Sequence, residues 1–115
     1  MTDTEHEALN AEYAVACKGW RRVNESGLEQ WRLDHDNGAV WIDEELPDYL
    51  SNDAELGRMV KALVLHKHDP HWVNLKDEGK RIILSTPAVE TYFYGASVNE
   101  CAMRACIALK VQVSS

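Results

Sequence analysis

The sequence predicts a small α+β fold, an α-β-α sandwich with three helices on an antiparallel sheet of about four strands. Three observations carry that prediction. Capping-box signatures stand at two helix starts, a turn signal separates two short apolar runs, and 115 residues suffice for one core but not two. Residues 1–115 are therefore read as a single domain. With 45% hydrophobic residues, four tryptophans and three prolines, the chain has enough apolar material to fold and too little bias to be disordered.

Thr4-Glu5-His6-Glu7 has the capping-box spacing, and Leu9, Tyr13, Ala16 and Trp20 follow at helical intervals. A first helix is expected from Thr4 to Lys18, with Gly19 as its left-handed stop. Trp31-Arg32-Leu33 and Val40-Trp41-Ile42 flank Asp36-Asn37-Gly38, where Asn and Gly tolerate positive φ, so this stretch predicts a hairpin. A second helix starts at Ser51 or Asn52, places Leu56, Met59, Val60, Leu63 and Val64 on one stripe, and ends near Pro70. Strands are expected at His71 to Leu75 and Arg81 to Ser85, joined by Asp77-Glu78-Gly79, with a third at Glu90 to Tyr94.

The last helix follows Ser97-Val98-Asn99-Glu100, another capping box. Val98, Cys101, Ala102, Ala105 and Leu109 form one face, whereas Met103, Ile107 and Val111 make the other side apolar too. Such a helix is either doubly buried or touches a second subunit. A homo-oligomer contact through residues 97–113 is the expectation.

Net charge is −7, which opposes general attraction to nucleic acid or anionic lipid. It is unevenly spread: residues 1–55 hold 14 acids and 4 bases, the remainder 5 acids and 8 bases. An anion would find its contacts in the second half. No apolar run approaches the roughly 20 residues that span a bilayer. The acidic opening is unlike a secretory signal, and three cysteines, an odd number, fit a reducing compartment, so a cytosolic protein is expected.

His66-Lys67-His68-Asp69-Pro70-His71 concentrates metal-binding side-chain types, but no second ligand cluster accompanies it. His66, His68 and His71 are weak metal candidates, and no cofactor is expected. Histidines in a helix's last turn also complement its dipole. His35 between Asp34 and Asp36 has the composition of an oriented base but lies beside a turn. Asp34-His35-Asp36-Asn37-Gly38 misses the calcium-loop pattern, its glycine one position early and no glutamate closing it. Gly79-Lys80 ends like a phosphate loop, yet Asn74 and Arg81 stand where a glycine and a hydroxyl are required. No serine elbow or activated cysteine is present, so no catalytic residue is assigned and a non-enzymatic protein is expected. Asp43-Glu44-Glu45 with Asp48 reads as a solvated acidic loop. An inventory of aromatic rings and arginines remains, the parts that stacking on a base and pairing with its phosphate require.

Two stretches resemble the phage ABA sandwich domain family, small bacteriophage and prophage proteins. Ala11-Glu12-Tyr13-Ala14-Val15-Ala16-Cys17-Lys18-Gly19-Trp20 with Leu46-Pro47-Asp48-Tyr49-Leu50-Ser51-Asn52-Asp53 is similar to the family's first helix and the start of its second. Ala96 to Leu109 is similar to its closing helix, with Ser97 for the usual threonine, Cys101 for alanine and Cys106-Ile107 where alanine and leucine are common. About half the chain is covered, and the family implies a fold rather than a reaction. By analogy with small phage proteins that sequester nucleotide immune signals, the resemblance implies a nucleotide-like anionic ligand, a counter-defence role and the cytoplasm of a bacterial host. Trp20 and Tyr49 would wall the pocket, Ser51 would reach phosphate, and Arg81 or Arg104 would pair with charge. Two alternatives stand beside it: an acidic inhibitor of a host protein acting through Asp43, Glu44 and Glu45, and a metal-dependent hydrolase built on the histidines.

Overall fold

The computed structural model describes residues 2–34, 38–76 and 79–114. The chain is α+β, and its described residues form three α-helices and two three-stranded antiparallel sheets, rather than one sheet of about four strands. Helix α1 spans Asp3–Tyr13 and continues into a π-helical turn, Ala14–Lys18, that ends at Gly19 with φ 86°. Its cap is Thr2, whose hydroxyl accepts from Glu5 N at 3.2 Å, and not Thr4. Thr2-x-x-Glu5 has the same spacing as Thr4-x-x-Glu7, and the earlier start adds helix.

The π turn is held from the far end of the chain. Its wider coil leaves carbonyls without intrahelical partners. Cys17 O accepts from Val113 N at 2.9 Å, and Ala16 O accepts from Gln112 Nε2 at 2.9 Å.

The first sheet joins β1 (Arg21–Glu25), β2 (Leu28–Asp34) and β3 (Val40–Asp43) in sequence order. Ser26 (φ 56°) and Gly27 (φ 79°) both lie in the left-handed region, as a two-residue hairpin turn needs. Strand β1 was not expected from sequence. Of the hairpin turn read at Asp36-Asn37-Gly38, Asp36 and Asn37 lie outside the described residues; Gly38 has φ 86°, and β2 and β3 pair antiparallel with Leu33 opposite Trp41. Trp31 and Leu33 pack against the core, and otherwise the strands contact chiefly one another. This wing accounts for extents of 49 × 32 × 21 Å and a radius of gyration of 15.3 Å, against the roughly 13 Å of a compact chain this long.

Helix α2 (Asp53–Leu65) is capped by Asn52, whose side chain accepts from Ala54 N. Its buried face is Glu55, Met59, Ala62 and Leu63, whereas Val64 from the expected stripe is 53% exposed. The buried carboxylate of Glu55 turns the helix. It accepts from Tyr13 Oη at 2.5 Å, lies 3.0 Å from Lys18 Nζ, and meets Arg58 at 3.1 Å.

The second sheet comprises β4 (Asp69–Leu75), β5 (Gly79–Ser85) and β6 (Glu90–Gly95), with Ile82 opposite both Trp72 and Phe93. Helix α3 (Val98–Leu109) packs on β5 and β6 and against both other helices. Cys101, Ala102, Met103, Ala105 and Cys106 are fully buried, and Val111 nearly so. The chain itself covers both apolar sides of α3, so the feature that suggested an oligomer contact through 97–113 has an intramolecular explanation. No helix among the described residues is long and apolar enough to cross a membrane.

Candidate functional site

The five residues assigned to an anion site do not converge. Trp20 and Tyr49 are core residues, 3% and 9% exposed, and Trp20 Nε1 donates to Tyr49 Oη at 2.7 Å. Tyr13 packs edge-on against the Tyr49 ring at 5.5 Å, and Lys18 Nζ lies 5.3 Å from it. Neither aromatic has an open face for a ligand. Ser51 is exposed at the start of α2, where its backbone N–H donates to Asp48. Arg104 leaves α3 toward solvent and pairs with Glu100 at 3.2 Å. Arg81 lies on the opposite side of the second sheet from α3, because strand alternation sends Ile82 and Leu84 inward and Arg81 and Ile83 outward.

That outward face carries no helix. Register places Val73, Arg81 and Tyr94 in one row across the sheet and His71, Ile83 and Tyr92 in the next. The Arg81 guanidinium lies 5.1 Å from the centre of the Tyr92 ring, and Tyr92 Oη donates to Glu90 at 2.7 Å. Tyr92 and Tyr94 are 44% and 54% exposed.

A different constellation lies at the mouth of the first sheet. A cleft of ≈ 430 Å³ between α1 and that sheet is floored by Ala11, Trp31 and Leu46 and rimmed by Glu7, Glu44 and Glu45. A second of ≈ 390 Å³ shares Glu7 and Leu46 and adds Asp3, His6 and Asp48. The cation in the first cleft, Arg22, is stacked 4.7 Å from Trp31 and paired with Glu29 at 2.7 Å. Asn10 shapes the trough: its amide donates to Pro47 O and its oxygen accepts from Tyr49 N and Leu50 N, fixing the 46–50 loop against α1. Partial burial would raise the Asp48 carboxyl, but the His6 ring at 2.8 Å and the Ser51 amide hold it below its usual range. Trp41, on the same face of the sheet as Trp31, is 60% exposed, whereas Ile42, 49% exposed, points to the opposite face. The sequence marked Asp43, Glu44 and Glu45 but not the contribution of α1, since nothing local in Asp3 or Glu7 announces a cleft.

The histidines disperse. His66 ends α2, His68 keeps a buried Nδ1 without a partner among the described residues, and His71 reaches Asp69 at 3.2 Å on the exposed sheet. Among the described residues no three His, Cys, Asp or Glu side chains come together to hold a metal ion. His35 and Asp36 lie outside the described residues. The cysteine thiols are poor nucleophiles, because burial pushes Cys17 up to about 11, Cys106 to about 12, and Cys101 upward as well. Burial and the adjacent Glu55 likewise keep the Tyr13 hydroxyl protonated far beyond its ordinary range.

The chain matches no family model, no curated protein and no solved structure.

Proposed function

We propose that this chain is a binding protein whose partner is a basic segment of another protein, received in the acidic trough between α1 and the first sheet. The observation that carries this reading is the trough's composition. Asp3, Glu7, Glu44, Glu45 and Asp48 surround an apolar floor, and the cation there, Arg22, is already neutralised. Lysine and arginine side chains are amphipathic: their stems cover apolar surface while their heads seek carboxylates. The exposed Trp41, on the same face of the sheet as Trp31, supplies the apolar part of a contact.

The test is affinity capture with the wild type, with the charge reversals Glu44→Lys and Glu45→Lys combined, and with Trp41→Asp. The expected partner presents a basic surface and is lost from both variants, with salt weakening the wild-type complex. A partner that is acidic, or that both variants retain, refutes the reading.

A second reading, sequestration of a small nucleotide-like anion, is favoured by one observation. Among the described residues, five of the six arginines pair with a carboxylate, and Arg81, held against Tyr92, does not. The likeness to small phage proteins would make such a ligand a nucleotide signal. The two readings use separate surfaces.

A further inference from the structure

We infer that the outward face of the second sheet is a stacking platform for a mononucleotide, with Arg81 as the phosphate contact and Tyr94 as the surface on which the base lies. This locates the ligand of the second reading above and rests on it.

The argument starts from Arg81. It occupies the central strand of a three-stranded sheet, so its stem is flanked on both sides, by Val73 and Tyr94. Its Nε is buried and has no hydrogen-bond partner, and none of its guanidinium nitrogens meets a carboxylate among the described residues. A guanidinium held in place without an anion is costly to maintain, since its charge is partly desolvated and uncompensated. The ring of Tyr92 offsets part of that cost by a cation–π contact and holds the guanidinium against it. The fork is therefore preorganised for two oxygens of a phosphate or carboxylate.

The neighbours define the rest of the ligand. Tyr92 is committed, its hydroxyl to Glu90 and its ring to Arg81. Tyr94 is 54% exposed beside Arg81 in the same row, and its side chain makes no hydrogen bond or ring contact among the described residues. Its ring offers the planar apolar surface on which a nucleobase stacks. Glu90 and Asp69 lie at one end of this face and repel a second anionic group there, and the net charge of −7 repels a polyanion. Those charges select a single phosphate over a nucleic-acid strand. The chemistry is shared by nucleoside monophosphates and by aromatic carboxylates, and the arms of the test separate them.

The experiment is a titration of the full chain, followed by backbone amide signals, with AMP, UMP, adenosine, benzoate and inorganic phosphate at millimolar concentrations. The mononucleotides are expected to shift the signals of Val73, Ile83 and Tyr92 to Tyr94. Arg81→Ala should weaken binding about 10–100-fold, the loss expected for a charge-assisted pair, with Arg81→Lys intermediate. Tyr94→Ala should weaken it about tenfold while leaving the sheet signals dispersed. Phosphate or adenosine binding as well as AMP overturns the two-part site, and preference for benzoate overturns the nucleotide assignment. Mononucleotide binding that survives in Arg81→Ala, or that shifts other signals, overturns this location and leaves the sequestration reading standing. No shift with any mononucleotide overturns both.

Discussion

Replacing Lys18 with methionine tests the buried polar centre of the fold. The Lys18 and Glu55 side chains are 3% and 1% exposed with 3.0 Å between nitrogen and oxygen, so the substitution leaves a carboxylate deprived of its buried cation. Removing one member of such a pair costs about 3–5 kcal/mol, because the remaining charge stays desolvated. Two groups soften the loss: Tyr13 Oη at 2.5 Å, and Arg58, which reaches Glu55 from a position 44% exposed. The expected cost is therefore about 3 kcal/mol, at the low end of that range. That is a large share of the roughly 5–15 kcal/mol by which a domain is stable. Urea unfolding followed by tryptophan fluorescence should show it, since Trp20 is buried and hydrogen-bonded to Tyr49. With a slope of about 2 kcal/mol/M the midpoint falls by about 1.5 M. The double variant Lys18→Met with Glu55→Met should regain about 1 kcal/mol or more over the single, because apolar groups of similar length leave no buried charge. A single variant that loses under about 1 kcal/mol, or a double variant no more stable than the single, would refute the account.

Alkaline pH should destabilise the fold in a definite window. Unfolded thiols ionise near pH 8.5, whereas native Cys17 and Cys106 hold their protons to about 11 and about 12, so the native state binds more protons between those limits. Stability is then full below pH 8.5 and falls as pH rises, with Tyr13 adding to the fall above pH 10; urea midpoints at pH 8 and pH 10.5 check it. Gly95→Ala should cost about 2 kcal/mol by thermal unfolding, since its new methyl would lie 3.0 Å from Glu100 Cβ and push that side chain off the Ala96 N–H. Ser97→Ala should cost about 1 kcal/mol by the loss of its bond to Glu100 N. Lys110→Gly should raise the melting temperature slightly, because Lys110 ends α3 at φ 53°, where glycine is unstrained.

The elements legible in the sequence were those with local signals. Ser97 and Asn52 cap where short polar side chains stand before apolar periodicity, and the β4 to β6 strands follow their β-branched and aromatic runs. Strand β1 was hidden because Arg21-Arg22-Val23-Asn24-Glu25 has one apolar residue, and its pairing with β2 supplies what its side chains do not. The number of sheets was misread for the same reason. The face of α2 was misjudged because a buried glutamate cannot be recognised until Tyr13 and Lys18 are placed around it, some 40 residues away. Trp20 and Tyr49 illustrate the general difficulty for sites: the same aromatic ring serves a core or a ligand, and only burial separates the two uses.

The π turn at Ala14–Lys18 sets an order for biosynthesis. Its carbonyls are closed by Gln112 and Val113, 96 residues further along the chain, and α3, the most buried helix, also comes late. As the chain emerges from the ribosome, the first helix has no partner for its last turn until Gln112 and Val113 have been made. Contacts this distant in sequence are slow to close and leave apolar surface open meanwhile. A truncation of the final few residues would thus reach back to the opposite end of the chain, leaving Cys17 and Lys18 to solvent and the first helix unanchored.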